Sequence, residues 1–342
     1  MNKYEFKELT NKEFDIFSKD AKNNSIFQSA AWANLKSNWG HYFVGVFDND
    51  TLIAASMILI RPIKFGFNFA YMPRGPLLHF ENEDLVKFFF YNLKIFLRKK
   101  SVVLLKFDPN FKIGNLTFDE KDLLTKLNGK DLVNLFANLN IKHCGYCLSI
   151  HDSIQPRIQL GFIIDDDVEK RIGNKTMKKV RASYRKGVTL KHEDRADNLA
   201  EIINFTEERH NIHLRNKEYF NNMLKYFKED ATVLTAYAEG VPISSCLLVK
   251  SKDTAEILYS GYNDDYKKFN STYPMRYEAI LWAKNKGCKT FNFGGADGTL
   301  DDGLTMFKSA FKPNIDVYIG EFDMVIKPIF GNIASFALKH KK

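Results

Sequence analysis

The chain has 342 residues, of which 45% are hydrophobic and 14% aromatic, so it has ample apolar material for a packed core and is not disordered. This length suggests about two domains. The formal net charge of +9 favours an anionic partner, such as nucleic acid, a membrane face or a phosphorylated substrate, with a generally basic proteome as the alternative.

The N-terminal segment contains no apolar run, so no signal peptide is expected, and no stretch approaches the ~18 apolar residues of a membrane span. These features predict a cytoplasmic protein with reduced thiols.

The first half alternates strand-like and helix-like patterns. Strands at Phe43–Phe47 and Leu52–Ile60 flank an Asp-Asn-Asp turn and predict a hairpin. Asp84–Lys100 has apolar residues at helical spacing between an acidic start and a basic end, which predicts a helix. Ser101–Phe107 is typical of a buried strand, closed by Asp108-Pro109.

Two cysteines follow with the spacing of a zinc site. Cys144 and Cys147 form a C-x-x-C pair after His143. A zinc site needs a second ligand pair, and Cys246 and Cys288 are isolated. We therefore expect no metal and place the pair in or beside a strand.

A basic segment, Lys170–Lys191, lies between the two halves of the chain. It predicts a helix whose cations no acidic residue interrupts, a density that destabilises an isolated helix by repulsion. The pattern favours contact with a polyanion such as an RNA backbone, and a solvated basic face is the alternative. The cations are Lys175, Lys178, Lys179, Arg181, Arg185 and Lys186.

The second half repeats the pattern of the first. A hairpin is predicted at Thr232–Tyr237 and Val241–Val249. A strand at Glu256–Ser260, a helix at Tyr273–Lys286 and a strand at Thr290–Phe293 follow it.

An internal duplication explains this repetition. Thr51–Leu59 aligns without a gap to Gly240–Leu248, and each segment precedes a strand with tyrosine, a helix and a buried strand. The match predicts two copies of one α+β unit of about 150 residues, with chance similarity as the alternative. We place the first domain at 1–150, with 315–342 returning to pack on it, and the second at 151–314.

This order of elements is similar to that of Gcn5-related N-acetyltransferase domains, so the predicted fold is α+β with two such domains in tandem. These domains usually hold the pyrophosphate of coenzyme A on an Arg/Gln-x-x-Gly-x-Gly/Ala turn at a helix N-terminus. Neither half contains that turn. Acetyl-coenzyme A is therefore not the expected donor, and no cofactor is expected.

The segment Thr290–Lys312 is the most informative part of the chain. It predicts a strand that ends at Gly294-Gly295, an acidic turn and a short helix bearing Lys308. A strand ending in two glycines lets a ligand approach bare backbone. A cation beside it suits a phosphate, a carboxylate or a developing oxyanion, and an ordinary surface lysine is the alternative.

A series of short motifs runs along nearly the whole chain. They are Phe27-Gln28, Ala31–Lys36 with Trp39, Tyr71–Pro76, Lys106–Pro109, Gln155–Arg157, the basic segment, Glu208–His213 with Arg215 and Tyr219, Tyr259–Gly261, and Gly294–Lys308. In type and order they resemble the signature motifs of the Fem peptidyltransferases, FemA, FemB, FemX and their relatives.

The resemblance implies aminoacyl-tRNA as the donor. It implies transfer of Gly, Ala or Ser to the stem-peptide amine of a peptidoglycan precursor, which forms the interpeptide bridge. Some members carry a coiled-coil arm in the second domain, but here only about 15 residues separate Glu218 from Val233. The chain is therefore similar to short FemX-like members, whose acceptor can be UDP-MurNAc-pentapeptide or lipid II, and we expect a monomer.

The resemblance also implies substrate-binding residues. Lys36 and Arg215 are candidates for the acceptor diphosphate, where arginine gives a bidentate fork and lysine a point charge. Tyr219 would stack on or hydrogen-bond the nucleotide part. Lys36 could instead be a solvated helix residue, and Trp32 and Trp39 could be core residues, which is the expectation for Trp32. Further substrate-binding candidates are Trp39, Arg74, Tyr259 and Phe307. The candidates for tRNA binding are Lys175, Lys178, Lys179, Arg181 and Arg185.

The implied reaction is aminolysis of an ester. An acceptor amine of the lysine type has a pKa of ~10.4, so it must lose a proton before it attacks the aminoacyl carbonyl. Asp108 could take that proton or orient the amine, with a turn aspartate before Pro109 as the alternative. Lys308 would stabilise the tetrahedral oxyanion or hold the acceptor end of the tRNA.

The C-terminal segment Lys327–Lys342 is apolar on one helical face and basic at its end. It could touch an anionic membrane surface at the inner face, which would favour a lipid-linked acceptor. Packing on its own domain is the alternative.

Two other functions stay open at this point. An N-acyltransferase with another activated donor, such as a thioester, is disfavoured by the missing coenzyme A turn. The basic segment is consistent with a non-catalytic RNA-binding protein. That function does not explain the presence of Lys36, Arg215 and Lys308.

Overall fold

The computed structural model describes residues 3–210 and 213–339. Contacts divide these residues into two units. The first comprises 3–115, 122–157 and 317–339, and the second comprises 116–121 and 158–316, apart from 211–212. None of the described helices is long and apolar enough to cross a membrane.

The first unit starts with a strand and two helices and continues through a hairpin. Its elements are β1 Tyr4–Glu8, α1 Asn11–Asp20, α2 Ala30–Leu35, β2 Gly40–Asp48, β3 Thr51–Pro62, β4 Asn68–Arg74, α3 Glu83–Lys99, β5 Val102–Pro109, β6 Lys112–Leu116, α4 Lys130–Asn138 and β7 Ile141–His143.

The second unit follows the same plan. Its elements are β8 Ile158–Ile163, α5 Val168–Ile172, α6 Asn174–Arg185, β9 Thr189–Glu193, α7 Asp197–His210, α8 Lys217–Phe227, β10 Ala231–Ala238, β11 Val241–Ser251, β12 Thr254–Tyr262, α9 Thr272–Asn285, β13 Thr290–Gly295, α10 Gly303–Ser309 and β14 Asn314–Tyr318. The chain then returns to the first unit with β15 Phe322–Val325 and α11 Pro328–Lys339.

Both units have the same strand order. The first sheet has seven strands in the order β1-β2-β3-β4-β5-β15-β7. The second has eight, β9-β10-β11-β12-β13-β8-β14-β6, and the first seven of these are in the equivalent positions. In each sheet the fourth and fifth strands are parallel, and a helix, α3 or α9, connects them as a parallel crossover requires. The predicted α+β fold and the repetition of one unit are confirmed at the level of strand order.

The two hairpins match with an offset from the predicted alignment. Asn49-Asp50 separates β2 from β3, and Glu239-Gly240 separates β10 from β11. Thr51 therefore corresponds to Val241, and the predicted pairing of Thr51 with Gly240 is wrong by one residue. The error matters because a slip of one residue exchanges the two faces of a strand.

Phenylalanines dominate the core of each unit. In the first, Phe107 of β5 stacks on Phe322 of β15 with ring centroids 5.3 Å apart, and Phe136 of α4 meets Phe322 edge-on at 4.7 Å. In the second, Phe293 of β13 lies 5.4 Å from Phe311. This packing fixes the end of β13, and with it the glycine pair that follows Phe293.

Helix α11 packs on the first unit through one face. A Cβ on Gly331 would come within 2.4 Å of the carbonyl oxygen of Val103 on β5, so only glycine fits there. Ser335 donates to Asp323 at 2.6 Å. On the other face, Ile329 and Ile333 are 73% and 62% exposed, so the helix both packs on its unit and presents an apolar surface.

Candidate active site

The central parallel ladders of the two units differ. In the first unit the β4–β5 ladder runs to the end of both strands, at Arg74 and Pro109. In the second, β12 and β13 pair at only three positions, and the last pair is Glu256 with Asn292. Both strands continue beyond that pair, so their backbone groups there can bind side chains or a ligand.

Lys308 is buried at this interrupted ladder. Asp302 caps α10 by accepting from the backbone N–H groups of Leu304 and Thr305, both at 3.0 Å. Lys308 follows in the same short helix, is 5% exposed, and donates from Nζ to the carbonyl oxygen of Gly295 at 2.6 Å. The surface-lysine alternative is therefore wrong.

The charge state of Lys308 is finely balanced. Burial, and next the positive charge of Arg276, lower its pKa to about 7, while Asp302 acts in the opposite direction. Near neutral pH the side chain is therefore present both as an ammonium and as an amine. Such a group can donate a hydrogen bond to an oxyanion and can also exchange a proton.

Arg276 is a residue of this site that the sequence prediction missed. It is 4% exposed in α9 and donates from Nη2 to Ser260 Oγ at 2.9 Å. Its guanidinium carbon lies 5.8 Å from the ring centre of Phe307, a predicted substrate-binding residue. The sequence signal is a cation on an apolar helix face, because Arg276, Ala279 and Ile280 are all buried at helical spacing.

Three predicted substrate-binding residues lie together in the second unit. The guanidinium carbon of Arg215 is 5.1 Å from the ring centre of Tyr219, whose ring is 6.2 Å from that of Tyr259. Burial, and next Tyr259, raise the pKa of Tyr219, so its hydroxyl stays neutral. An exposed arginine over a half-buried tyrosine can bind a phosphate beside an aromatic base. Of the Glu208–His213 motif, residues 211 and 212 lie outside the described residues.

Asp108 lies in the first unit and is 2% exposed. It accepts from the Tyr71 hydroxyl at 2.8 Å, and the Arg74 Nε is 3.5 Å from its other oxygen. Burial raises its pKa to about 6, although Arg74 and then Tyr71 act to lower it. Strand β5 continues through Asp108 to Pro109, so the turn alternative is wrong, and the carboxyl can titrate near neutral pH.

Arg74 is held by several contacts within the first unit. It is 4% exposed, its guanidinium carbon is 4.5 Å from the ring centre of Tyr318, and Nη2 donates to the Pro156 carbonyl at 3.0 Å. These contacts orient the cation toward Asp108. Its predicted role in lining a substrate groove stays a prediction.

A second buried ionic cluster in the first unit surrounds Lys106, two residues before Asp108 on the same face of β5. Lys106 Nζ lies 2.7 Å from Asp323, 3.3 Å from Glu321 and 3.5 Å from Cys144 Sγ. Burial alone would lower the pKa of Lys106, but these three groups raise it overall. Burial raises the pKa of Cys144 to about 11, so the thiol is neutral. In residues 3–210 and 213–339 no cluster of His, Cys, Asp or Glu could hold a metal ion.

Lys36 and Trp39 lie in the first unit. Lys36 follows α2, and its Nζ is 4.4 Å from the ring centre of Trp32. Trp32 is 6% exposed, which confirms the prediction that it lies in the core. Trp39 is half-buried, with its ring 6.1 Å from that of Phe69. Because Lys36 and Arg215 belong to different units, their shared diphosphate site stays a prediction.

The predicted basic helix is confirmed in its central part, as α6, with Thr176, Met177, Val180 and Ser183 buried. The start of the basic segment belongs to α5 and its end to β9. Arg181 pairs with Glu169 at 2.5 Å, and Lys179 donates to the Tyr273 hydroxyl at 2.7 Å. Within the described part of the chain, the other tRNA-binding candidates have no ion pair. They are the exposed residues Lys175, Lys178 and Arg185.

Sequence comparisons place these features in a family context. The model of the FemAB family matches residues 9–239 and 235–339. The lipid II:glycine glycyltransferase of Staphylococcus haemolyticus (strain JCSC1435) is 23% identical in an alignment that covers 94% of this chain and 93% of that protein. The UDP-N-acetylmuramoylpentapeptide-lysine N(6)-alanyltransferase of Weissella viridescens is 27% identical over 332 residues, which cover 92% and 93%.

Solved structures match over almost the whole chain. The crystal structure of FemX has a TM-score of 0.83 at 20% identity and covers 98% of this chain and 100% of that one. A tandem GNAT protein from the clavulanic acid biosynthesis pathway has a TM-score of 0.55 at 11% identity and covers 95% and 99%. These matches confirm the predicted fold of two tandem acyltransferase-like domains. Among the described residues, α8 is the only helix between α7 and β10 apart from one 3-10 turn, in agreement with the predicted lack of a coiled-coil arm.

Proposed function

The chain belongs to the FemAB family, and from this premise we propose that it transfers an amino acid to the stem-peptide amine of a peptidoglycan precursor. Relatives named as a lipid II glycyltransferase and a UDP-N-acetylmuramoylpentapeptide-lysine alanyltransferase support this reaction. The observation that carries the proposal is the buried Lys308, held against the backbone of Gly295 where the β12–β13 ladder has stopped.

The donor in this proposal is an aminoacyl-tRNA. The acceptor amine attacks the ester carbonyl, a C–N bond forms, and the ester C–O bond breaks, so that the tRNA hydroxyl leaves and takes up a proton. Lys308 in its ammonium form donates a hydrogen bond to the tetrahedral oxyanion. Asp108 accepts the proton that the amine releases or orients that amine. The exposed cations of α6 bind the tRNA backbone.

The acceptor carries a diphosphate, for which Lys36 and Arg215 are the proposed ligands, with Tyr219 and Trp39 beside them. Tyr259 and Phe307 contact the peptide and the donor end. The transferred amino acid is Gly, Ala or Ser. The protein acts as a monomer in the cytoplasm, at the inner membrane face when the acceptor is lipid-linked.

An apolar patch on the first unit supports a lipid-linked acceptor. Phe65, in the connection between β3 and β4, is 85% exposed, and the neighbouring Phe67 lies 4.5 Å from Phe330 of α11. The exposed Ile329 and Ile333 extend the patch along α11. Neither 61–68 nor 326–339 contains an acidic residue, so the patch is suited to an anionic lipid surface.

A transfer assay tests the proposed function. The protein is incubated with tRNA charged with labelled Gly, Ala or Ser, and with UDP-MurNAc-pentapeptide or lipid II. Label should enter one of the acceptors, and it should do so much more slowly with Lys308→Met. Lys286→Met, which changes an exposed lysine of the second unit, is the matched control. No transfer to either acceptor from any of the three donors would overturn the proposal.

A further inference from the structure

Arg276 is a buried cation whose hydrogen-bonding capacity is mostly unused. It is 4% exposed, and its Nη2 donates to Ser260 Oγ at 2.9 Å. Within residues 3–210 and 213–339, its Nε and Nη1 are buried without a hydrogen-bond partner. A buried guanidinium normally uses its donors, because unpaired buried donors cost folding free energy.

No anionic side chain of the described residues balances this cation. In the described part of the chain Arg276 forms no salt bridge, and the only group that favours its charge is the thiol of Cys246. Burial raises the pKa of Cys246 to about 12, so that thiol is neutral. The neighbouring Lys308 is a second cation, and Asp302 favours its charged form. Among the described residues Arg276 therefore carries a buried positive charge for which no salt-bridge partner is present.

A second unsatisfied polar group lies on the same strand face. Among the described residues Ser244 Oγ is also buried without a hydrogen-bond partner. Ser244 and Cys246 are two residues apart on β11 and therefore lie on the same face of the strand. Cys246 pairs with Ser260, whose hydroxyl accepts the hydrogen bond from Arg276. In the part of the chain that the structure describes, two polar side chains beside the interrupted β12–β13 ladder, Arg276 and Ser244, thus have buried atoms without hydrogen-bond partners.

We propose that Arg276 binds an oxyanion group of a substrate, a phosphodiester or a carboxylate, inside the second unit next to Lys308. The inference rests on the proposed function, which supplies both kinds of group. The last phosphodiester of the tRNA precedes the aminoacylated adenosine, and the acceptor peptide carries carboxylates. Arginine suits either, because its planar N–H groups match phosphate and carboxylate oxygens.

The bound anion also couples substrate binding to Lys308. In the free protein the charge of Arg276 helps to keep Lys308 partly deprotonated near neutral pH. An anion on Arg276 cancels that repulsion and favours the ammonium form of Lys308. The lysine is then protonated when the ester is in place and an oxyanion is about to form.

The first experiment measures anion binding without turnover. Adenosine 5′-monophosphate and acetate serve as phosphate and carboxylate probes, and adenosine as the uncharged control. One of the two anions should raise the Tm of the wild-type protein, as a ligand specific for the folded state does, and Arg276→Gln should lose that shift. Arg276→Lys keeps the charge, so it should fold and retain part of the shift. Arg171→Gln, which removes an arginine paired with Asp165 elsewhere in the second unit, should behave as wild type.

The second experiment identifies the source of the anion. If the ligand is the phosphodiester, Arg276→Gln should raise the KM for aminoacyl-tRNA at least about tenfold, an effect within the range of one charged hydrogen bond. The variant and wild type should then be similar with an aminoacyl-adenosine that lacks the phosphate. If the ligand is the acceptor carboxylate, the defect should persist with that donor and disappear with an acceptor whose carboxylates are amidated.

The proposal is overturned if neither anion changes the Tm of the wild-type protein, or if Arg276→Gln is equally impaired with every substrate pair. If the wild-type protein transfers no amino acid to either acceptor, the proposed function is contradicted instead. The anion titration would still decide the present inference, because it needs no reaction.

Discussion

Lys308 Nζ and the carbonyl oxygen of Gly295 are joined by a 2.6 Å hydrogen bond that ties α10 to the end of β13. Gly294 precedes this contact with a φ of +85°, a conformation that favours glycine. A Cβ on Gly294 would also lie 3.5 Å from the Ile257 carbonyl and 3.8 Å from Lys308 Nζ. The glycine pair thus shapes the backbone that holds the lysine. The ammonium form of Lys308 has further N–H groups besides the one in this bond, and these can bind a ligand.

Replacement of Lys308 by methionine should affect turnover more than binding. Loss of one oxyanion donor typically lowers kcat by about 10²–10³-fold. We expect a fall of that order with a small change in the Kd of the acceptor. Steady-state kinetics and acceptor titration, with Lys286→Met as the control, make the comparison. Equal losses in kcat and in acceptor affinity would reassign Lys308 to substrate binding.

The burial of Lys308 predicts a pH dependence of stability. Its pKa falls from 10.5 to about 7 on folding, so between these values the unfolded chain binds a proton that the folded chain does not. The free energy of unfolding should therefore rise with pH across this window, by at most ~1.4 kcal/mol per pH unit. This additional free energy of unfolding is lost as the pH falls toward 7, the pKa of Lys308 in the folded protein.

Thermal unfolding of the wild type and of Lys308→Met across this window measures the effect. The Tm of the wild type relative to the variant should increase with pH and level off below the folded-state pKa. Parallel curves for the two proteins would show that Lys308 is not buried in solution.

Asp108 should produce the acid limb of the activity profile. Its pKa is raised to about 6, and a base must be deprotonated, so kcat should fall as the pH drops through this value. Asp108→Asn should lower kcat by about 10²-fold, as loss of a general base does, and should abolish the limb. Tyr71→Phe removes a hydrogen bond that lowers the pKa of Asp108, so the limb should move to higher pH. A limb that survives in Asp108→Asn would assign it to another group.

The unpaired cations of α6 should determine the salt dependence of tRNA binding. Substitution of Lys175, Lys178 and Arg185 by alanine should weaken binding and reduce the slope of log K against log[salt] by about 0.7–0.9 per lost phosphate contact. The control removes the same charge from the first unit, at the exposed residues Lys12, Lys22 and Lys99. If both triple variants lose affinity equally, the effect is one of net charge and α6 is a solvated face.

The apolar patch should mediate membrane binding. Phe65→Ser combined with Ile329→Ser should reduce co-sedimentation with phosphatidylglycerol vesicles at least about tenfold, because two large side chains no longer enter the interface. Transfer to a soluble acceptor should be unchanged. Tyr91→Ser and Ile16→Ser, which alter residues 67% and 60% exposed elsewhere on the first unit, are the controls. Equal vesicle binding by wild type and the double variant would remove the support for a lipid-linked acceptor.

Local patterns made much of the fold predictable. The period-2 hairpins and the amphipathic helix α3 lie close to their predicted bounds, because these signals are contained within single segments. The hairpin alignment failed by one residue because it matched small side chains, whereas the register follows from the turns at Asn49-Asp50 and Glu239-Gly240. The sequence analysis placed 315–342 back on the first domain, but the position of β15 between β5 and β7 depends on tertiary packing that a single sequence does not encode locally.

The site was predictable where one segment carries it. Lys308 and the glycine pair lie within one stretch of chain, so their association was visible in the sequence. Arg276 was missed because its burial depends on the packing of α9 against β11 and β12. The Lys106 cluster was missed because Asp323 is far away in sequence and comes opposite Lys106 only when β15 pairs with β5.

One measurement tests the central claim most directly. The protein receives a mixture of aminoacyl-tRNA and the corresponding aminoacyl thioester of coenzyme A, each with a different isotope in the amino acid, and a stem-peptide acceptor. Mass spectrometry of the acceptor should show one added amino acid, in amide linkage to the side-chain amine, carrying the isotope of the tRNA donor. Ribonuclease treatment of the donor should abolish it. An acceptor labelled from the thioester, or an unmodified acceptor, would contradict the account.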